Sequence, residues 1–302
     1  MSLVTRRQLL AAAASAPLAP LALSRDVAAV QAPSQTTTPP PPRYALAANL
    51  ELMFPQTMPH AQRMDMIAAQ GIKAFGFWSS VGKDHKAMLD AQQRLGLACC
   101  SITGTTDAGR KTGLTHTGYE AEFLKDFQNN CERAKLFGCP NLISFLGAST
   151  TAVPPDVQHR QFIEGLKKAG DIAAKYGVYF CLEALNPIDN PTMSVLSATH
   201  AFKIVADVNH PHVLVDFDMY HLAMGEGNII NNLRKGLRNK WIRFVEIGDV
   251  PGRKEPGTGE TNYDNIFKVL REEGFDNFVG MEHGTSSTPE HAMQVVRRVA
   301  GV

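Results

Sequence analysis

The sequence predicts a (β/α)8 barrel, also called a TIM barrel, and two observations carry that prediction. First, polar helix-like stretches repeatedly stop at Gly and are followed by apolar runs. Second, four strand-like segments in the second half end in acidic residues. Gly after a helix supplies a left-handed cap, and an apolar run is typical of a strand buried on both faces. Such alternation implies parallel strands joined by crossover helices.

The Gly junctions place the elements in order. They read AAQGIKAFGFW, QRLGLACCSI, KLFGCPNLISFL, AKYGVYFCLE and REEGFDNFVGME. The predicted strands cover residues 44–50, 73–78, 97–102, 141–146, 178–183, 213–217, 241–247 and 277–282. The predicted helices include residues 119–137, 156–176, 198–208, 263–273 and 289–299. The last of these opens with a Thr cap followed by Pro in TPEHAMQVV, which is typical of a helix start.

The length fits this fold, since a TIM barrel takes about 250 residues and residues 44–302 remain after the N-terminus. The alternative is a doubly wound open sheet. It is disfavoured because no G-x-G-x-x-G follows the first strand, and because acidic residues end four strands instead of clustering at one switch point.

The sequence of residues 1–32 is typical of an export signal of the twin-arginine type. Arg6 and Arg7 directly precede an Ala/Leu-rich run. That run is short and interrupted by two prolines, so it predicts no stable membrane anchor. Residues 33–43 form a Pro-rich linker that should be extended. The sequence therefore predicts a periplasmic or otherwise exported protein whose catalytic domain spans residues 44–302.

The composition limits the classes of partner that the protein can bind. The chain has 30 basic and 29 acidic residues and a formal net charge of +1, which offers no electrostatic footprint for nucleic acid. Its five cysteines form no C-x-x-C pair, and several lie in strands as small apolar fillers, so no disulfide is required. We expect a small-molecule substrate. The oligomeric state stays open, a homo-oligomer included.

Carboxylates end four successive strands of the second half. Glu183 ends YFCLE, Asp216 and Asp218 lie in VLVDFD, Glu246 lies in IRFVE, and Glu282 ends FVGME. Residues two apart share a face of a strand, and Asp218 lies nearer the end, so it is the better ligand and Asp216 a supporting group. A carboxylate buried at position 246 without a partner would cost several kcal/mol, which makes a cation the natural explanation.

One divalent metal ion is the cofactor that this set predicts. Oxygen-only ligation favours Mn or Mg over Zn. The excess negative charge needs an offset, which Arg253 or Lys254 can supply from the Gly- and Pro-rich loop DVPGRKEPGTGETNY. Four aromatic side chains are candidates for the pocket wall, with a core position as the alternative for each: Phe54, Phe77, Trp78 and Tyr220. Among these, Phe54 and Trp78 are predicted to bind substrate.

Several strings resemble the motifs of the hydroxypyruvate isomerase branch of the xylose-isomerase-like TIM barrels, a group similar to the tagatose and psicose 3-epimerases. The strings are LEALN, DMYH, DVPGRKEPGTGETNY and GMEH. The likeness runs from AANLELMFP at residue 47 to the last strand, and the Gly-Arg-x-Glu-Pro-Gly-Thr-Gly-Glu loop is its most specific part.

The resemblance implies roles for six residues. The implied ligands of one divalent metal are Glu183, Asp218, Glu246 and Glu282. Glu183 and Glu282 would also be the acid/base pair, and His221 and Arg253 would contact substrate oxygens. Two positions depart from the family. It usually has Gln or His at Glu246, and the hydroxypyruvate isomerases tend to have Glu at Gly76.

The implied activity is isomerisation or epimerisation of a small sugar or hydroxy-keto acid by proton transfer through an enediolate. Two alternatives remain open. One is a metal-dependent lyase acting on 3-keto sugars or glycosides on the same barrel, and the other is a non-catalytic exported carbohydrate-binding protein. An apurinic endonuclease is disfavoured, because that chemistry needs a His-rich multi-zinc site and a basic surface.

Overall fold

The computed structural model describes residues 40–302, and within them eight parallel strands close into a barrel in the order β1 to β8. The TIM-barrel prediction is confirmed. The strands are β1 Ala45–Asn49, β2 Ala74–Phe77, β3 Ala98–Thr103, β4 Asn141–Ser144, β5 Tyr179–Glu183, β6 Val213–Asp218, β7 Ile242–Ile247 and β8 Phe278–Met281. The predicted signal and residues 33–39 of the linker lie outside the described residues.

Helices of residues 40–302 lie between the strands and after β8. They are α1 His60–Ala69, α2 His85–Leu95, α3 Asp107–Arg110, α4 Glu120–Phe137, α5 Pro155–Tyr176, α6 Ala198–Val208, α7 Met219–Gly225, α8 Ile229–Arg238, α9 Tyr263–Glu272 and α10 Pro289–Ala300. Within the described residues, none of these helices has the length and hydropathy needed to cross a membrane.

Three of the five predicted Gly junctions are helix caps in the structure, and the other two glycines, Gly71 and Gly274, come one residue after the caps of α1 and α9. Gly96, Gly138 and Gly177 end α2, α4 and α5 in the left-handed conformation, with φ of 63°, 61° and 68°. The predicted Thr cap is also present, because the Thr288 hydroxyl accepts a hydrogen bond from the His291 N–H at 3.2 Å. Local sequence therefore marks where α2, α4 and α5 stop and the next strand starts.

The core has an outer and an inner part. Most buried apolar side chains pack between the strands and the helices. The inner cluster consists of small and aromatic side chains: Ala47, Ala74, Cys100, Cys181 and Phe244. Successive residues of a strand alternate between the two, as Cys99 in the outer cluster and Cys100 in the inner one show. All five cysteines are free and buried.

Strand register brings the acidic residues of the second half to one end of the barrel. Glu183 of β5 is level with Asp216 of β6, and Asp218 is level with Glu246 of β7. Glu246 is in turn level with Gly280 of β8. A Cβ at Gly280 would lie 3.2 Å from Glu246 Oε1, so the glycine leaves the space that this carboxylate occupies.

Candidate metal centre and active site

Four buried carboxylates meet at the carboxyl-terminal mouth of the barrel. Glu183, Asp218, Glu246 and Glu282 each offer one oxygen, and these oxygens all lie within 4.8 Å of one another. Their residues are between 1% and 6% exposed. The structure thus brings together, from the ends of β5, β6, β7 and β8, the four carboxylates that the sequence predicts as metal ligands.

Electrostatics in this cluster are unfavourable without a cation. Burial raises the pKa of Glu183 well above its ordinary value, and the neighbouring charge of Glu282 raises it further. Burial likewise raises the pKa of Glu246, again with Glu282 contributing. Glu246 Oε2 is buried and has no hydrogen-bond partner within residues 40–302. An orphaned buried carboxylate oxygen in an oxygen-only donor set fits a hard divalent cation.

The tautomer of His221 follows from its hydrogen bond to Asn186. Asn186 Oδ1 accepts from the backbone N–H groups of Ile188 and Asp189 at 3.0 and 2.8 Å, which fixes the amide orientation. Asn186 Nδ2 therefore donates to His221 Nδ1 at 2.7 Å. Burial and the charge of Arg253 lower the pKa of His221 to about 4, so the imidazole is neutral near pH 7.

His221 is thus a hydrogen-bond donor at the centre. A neutral imidazole that accepts at Nδ1 carries its proton on Nε2. That atom lies 3.6 Å from both Glu183 Oε1 and Asp218 Oδ2. A protonated Nε2 has no free lone pair for a metal, so the all-carboxylate ligand set fits better than one that includes His221.

Arg253 supplies the positive charge that the cluster needs. Its Nη2 donates to Asp218 Oδ2 at 3.1 Å and to Glu282 Oε2. Burial lowers the pKa of Arg253, but the charges of Glu282 and Asp218 raise it by more, so the guanidinium stays charged. The guanidinium also lies 4.8 Å from the centre of the Tyr220 ring. Lys254, the other cation considered, is exposed.

Two further donors hold Glu282. Trp78 Nε1 donates to Glu282 Oε1 at 2.6 Å, and Asn49 Nδ2 donates to the same oxygen at 3.2 Å. With Arg253 on its other oxygen, Glu282 is held at both ends of the carboxylate. Sequence reasoning missed Asn49, although it stands at the end of β1, where a polar residue interrupts an apolar strand.

The loop between β7 and α9 is shaped by buried acceptors, as its composition predicts. Asp249 is fully buried, and its Oδ2 accepts from the N–H groups of Gly257 and Gly259 at 2.8 and 2.9 Å. Glu255 Oε2 accepts from the Ser286 N–H at 2.9 Å, which ties the loop to the segment after β8. Arg253 is therefore presented from a rigid loop.

A cavity of about 520 Å³ opens over the centre. Phe77, Trp78, Arg110, His221 and Arg253 are among the side chains that line it together with three of the four carboxylates. Phe54, predicted to bind substrate, does not line this cavity. It is 4% exposed and packs in the outer core.

Tyr220, another aromatic candidate, also does not line the cavity. It lies against the Arg253 guanidinium and donates its hydroxyl to Asp189 Oδ2 at 2.8 Å. Asp216 is 1% exposed, and neither of its carboxylate oxygens has a hydrogen-bond partner among the described residues. It lies beside the centre and is not one of the four clustered carboxylates.

A closed parallel barrel with a cavity at the carboxyl ends of its strands has the architecture of TIM-barrel enzymes. Comparison with known proteins assigns the chain to one family of TIM barrels. The chain belongs to the xylose isomerase-like TIM barrel family, whose model matches residues 64–299.

Curated relatives and a solved structure are similar over most of the chain. A 2-oxo-tetronate isomerase from Haemophilus influenzae is 30% identical over 78% of this chain and 92% of its own length. A hydroxypyruvate isomerase from Escherichia coli is 27% identical over 63% of this chain and 73% of its own length. The crystal structure of a protein named AP endonuclease, family 2, from Brucella melitensis is 26% identical, with a TM-score of 0.74, covering 83% of this chain and 96% of that chain.

Proposed function

We propose that this protein is a divalent-metal-dependent isomerase or epimerase of a small hydroxy-carbonyl compound, either a sugar or a hydroxy-keto acid. The observation that carries the proposal is the meeting of four buried carboxylates within 4.8 Å of one another, three of which line the cavity. The similarity to a 2-oxo-tetronate isomerase and a hydroxypyruvate isomerase supports the same class of reaction.

The metal that we propose would be held by Glu183, Asp218, Glu246 and Glu282. The chemistry it supplies when bound is Lewis acidity toward adjacent carbonyl and hydroxyl oxygens, which acidifies the C–H bond between them. Mn or Mg suits the oxygen donors better than Zn does.

Proton transfer is assigned to Glu183 and Glu282. One glutamate removes the proton from the carbon that bears the hydroxyl, which gives an enediolate, and the same or the facing glutamate returns a proton. Return to the neighbouring carbon is isomerisation, whereas return to the original carbon from the other face is epimerisation. Both side chains line the cavity, so a substrate bound there can reach both.

Arg253 and His221 stabilise the charge that develops on the substrate oxygens. The Arg253 guanidinium is charged and lines the cavity, and His221 presents its Nε2–H toward the same space. Fixed donors in a site that excludes water lower the energy of an oxyanion more than water does. Their positions depend on the rigid loop of Asp249 and on Asn186.

An endonuclease activity, for which the Brucella melitensis protein is named, is not favoured. The centre consists of carboxylates with one neutral histidine beside them. A net charge of +1 gives no basic surface to neutralise phosphates.

The test is proton NMR of purified protein with Mn and a panel of substrates in deuterated water. The panel contains hydroxypyruvate, 2-oxo-tetronate, four- to six-carbon ketoses and 3-keto sugars. An isomerase or epimerase exchanges one carbon-bound proton for deuterium and conserves the substrate's composition. Cleavage of a 3-keto glycoside into two products would support the lyase instead. Binding without exchange on any substrate would support the carbohydrate-binding protein.

A further inference from the structure

A second arginine lines the cavity and takes no part in the proposed chemistry. Arg110 ends the short helix α3, in the connection that follows β3. Its guanidinium carbon lies 4.3 Å from the centre of the Phe145 ring, which is 4% exposed. A cation held over a buried ring is oriented without using its N–H donors. Among the residues whose side chains the structure describes, none accepts a hydrogen bond from these donors, which leaves them available to a ligand in the cavity.

The backbone that precedes Arg110 is anchored to neighbouring elements. The Thr106 N–H and hydroxyl donate to the two Asp126 carboxylate oxygens at 2.7 and 2.8 Å. A Cβ at Gly109 would lie 3.2 Å from the Phe145 carbonyl oxygen, so α3 packs closely against the segment that follows β4. Arg110 is thus placed by a fixed turn and not by a free loop.

The two arginines of the cavity differ in how their charge is used. Arg253 is engaged by Asp218 and Glu282. Among the side chains that the structure describes, no carboxylate lies within ion-pair distance of Arg110. A planar guanidinium with unshared donors is matched in geometry and charge by a carboxylate or a phosphate.

We propose that Arg110 is a specificity-determining residue that binds an anionic end group of the substrate, a carboxylate or a phosphate. The site then prefers a hydroxy-keto acid or a phosphorylated ketose over the neutral ketose of the same length. This inference rests on the proposed function, because it names the substrate class of the same cavity. The cavity of about 520 Å³ has room for a charged end group beyond the reacting hydroxy-carbonyl unit.

The test compares three four-carbon substrates: 2-oxo-tetronate, erythrulose 4-phosphate and neutral erythrulose. Kinetic constants of the Mn-loaded protein are measured by deuterium incorporation for wild type, Arg110→Met and Arg110→Lys. Arg160→Met is the matched control, since Arg160 pairs with exposed Asp156 on α5 and does not line the cavity. Loss of a hydrogen bond between charged groups corresponds to about a tenfold to hundredfold rise in KM.

We expect Arg110→Met to raise KM for one or both anionic substrates by that factor, with little change in kcat and no change for erythrulose. Arg110→Lys should recover much of the loss. A rise in KM for 2-oxo-tetronate identifies the anion as a carboxylate, and a rise in KM for erythrulose 4-phosphate identifies it as a phosphate. Equal effects on charged and neutral substrates, or no effect on any, would overturn the proposal.

A binding measurement separates this inference from the proposed function. Erythronate, a four-carbon hydroxy acid without a carbonyl, and inorganic phosphate are titrated into wild type and Arg110→Met by calorimetry. If no substrate turns over but either anion binds wild type at least tenfold more tightly than the variant, the anion site stands and the isomerase fails. If erythronate and phosphate each bind wild type and Arg110→Met with equal affinity, the anion site is refuted, whether or not any substrate turns over.

Discussion

Glu183 and Glu282 are held differently although both line the cavity. Glu282 accepts from Trp78, Asn49 and Arg253, which fix both of its oxygens. Glu183 has His221 Nε2 as a neighbour at 3.6 Å, a longer and weaker contact. Glu282 is therefore the more rigidly positioned of the two proposed proton carriers, and Glu183 the more free to adjust to a substrate.

We predict that Glu183→Gln and Glu282→Gln each reduce turnover by about 10²- to 10⁴-fold, because an amide cannot act as a general base. Circular dichroism should show an intact fold. Glu132→Gln on the exposed face of α4 is the control and should keep wild-type turnover. Activity within tenfold of wild type in either variant would refute the acid/base assignment of that residue.

Glu246, where the sequence resemblance leads us to expect Gln or His, carries a separate prediction. Glu246→Gln should still bind one divalent ion, because the amide oxygen remains a ligand, whereas Glu246→Ala should bind it more weakly. Metal content after dialysis, measured by mass spectrometry, checks this without reference to activity. If Glu246→Ala retained metal as well as wild type, Glu246 would not be a ligand and a three-carboxylate site would replace the proposed set.

At the scale of elements, the loop between β7 and α9 depends on one buried side chain. Besides Gly257 and Gly259, Asp249 accepts from the N–H groups of Val250 and Thr261 at 2.9 and 3.1 Å. Removing a buried acceptor leaves its donors unsatisfied, at about 1–3 kcal/mol for each such group.

We therefore predict that Asp249→Ala lowers Tm by several degrees and makes the loop susceptible to limited proteolysis. Turnover should fall as well, because Arg253 loses its fixed position. Glu260→Ala, in the exposed part of the same loop, is the matched control and should behave like wild type. A proteolysis pattern and Tm equal to those of wild type would show that Asp249 does not hold the loop.

Glu51, which follows β1, joins the loops after β1 and β2. Its Oε1 accepts from the Trp78 N–H at 3.2 Å and from Lys83 Nζ at 3.1 Å, and it lies 3.3 Å from His60 Nε2. Burial raises the pKa of Glu51, but the hydrogen bond to His60 and the charge of Lys83 outweigh it and lower the pKa to about 2.

This shift predicts an acid-dependent part of the stability. A carboxyl whose folded-state pKa lies below its ordinary value of 4.5 stabilises the fold above that pH, and the contribution is lost as the pH falls toward about 2. The difference in free energy of unfolding between wild type and Glu51→Gln should therefore shrink over that interval in urea titrations. A difference that grew as the pH was lowered would contradict the assignment.

Much of the barrel and part of the site could be predicted from the sequence. Gly96, Gly138 and Gly177 are local signals, and a carboxylate at the end of an apolar strand points to the mouth of the barrel wherever that strand lies. Loop residues have no comparable sequence signal that predicts where their side chains lie. Phe54 lies in the core and Arg110 in the cavity because of the path of the connections after β1 and β3, which residue spacing does not encode.

For the whole molecule, the fold of the barrel and the export of the chain are two separate questions. The structure describes residues 40–302, and the family model matches residues 64–299. Export by the twin-arginine route, signalled by Arg6 and Arg7, stays a prediction. Fusion of residues 1–43 to a reporter would test it, with export expected for the native pair and lost when both arginines are changed to lysine.

We propose that one divalent ion, held by the four carboxylates, supports proton transfer in this cavity. The most direct measurement is deuterium exchange into an active substrate by chelator-stripped protein titrated with Mn, Mg or Zn, with bound metal measured in parallel. We predict no exchange without metal, a rise that saturates at one ion per chain, and greater restoration by Mn or Mg than by Zn. Full exchange by the metal-free protein, or full activity of a protein holding stoichiometric Zn, would contradict the account.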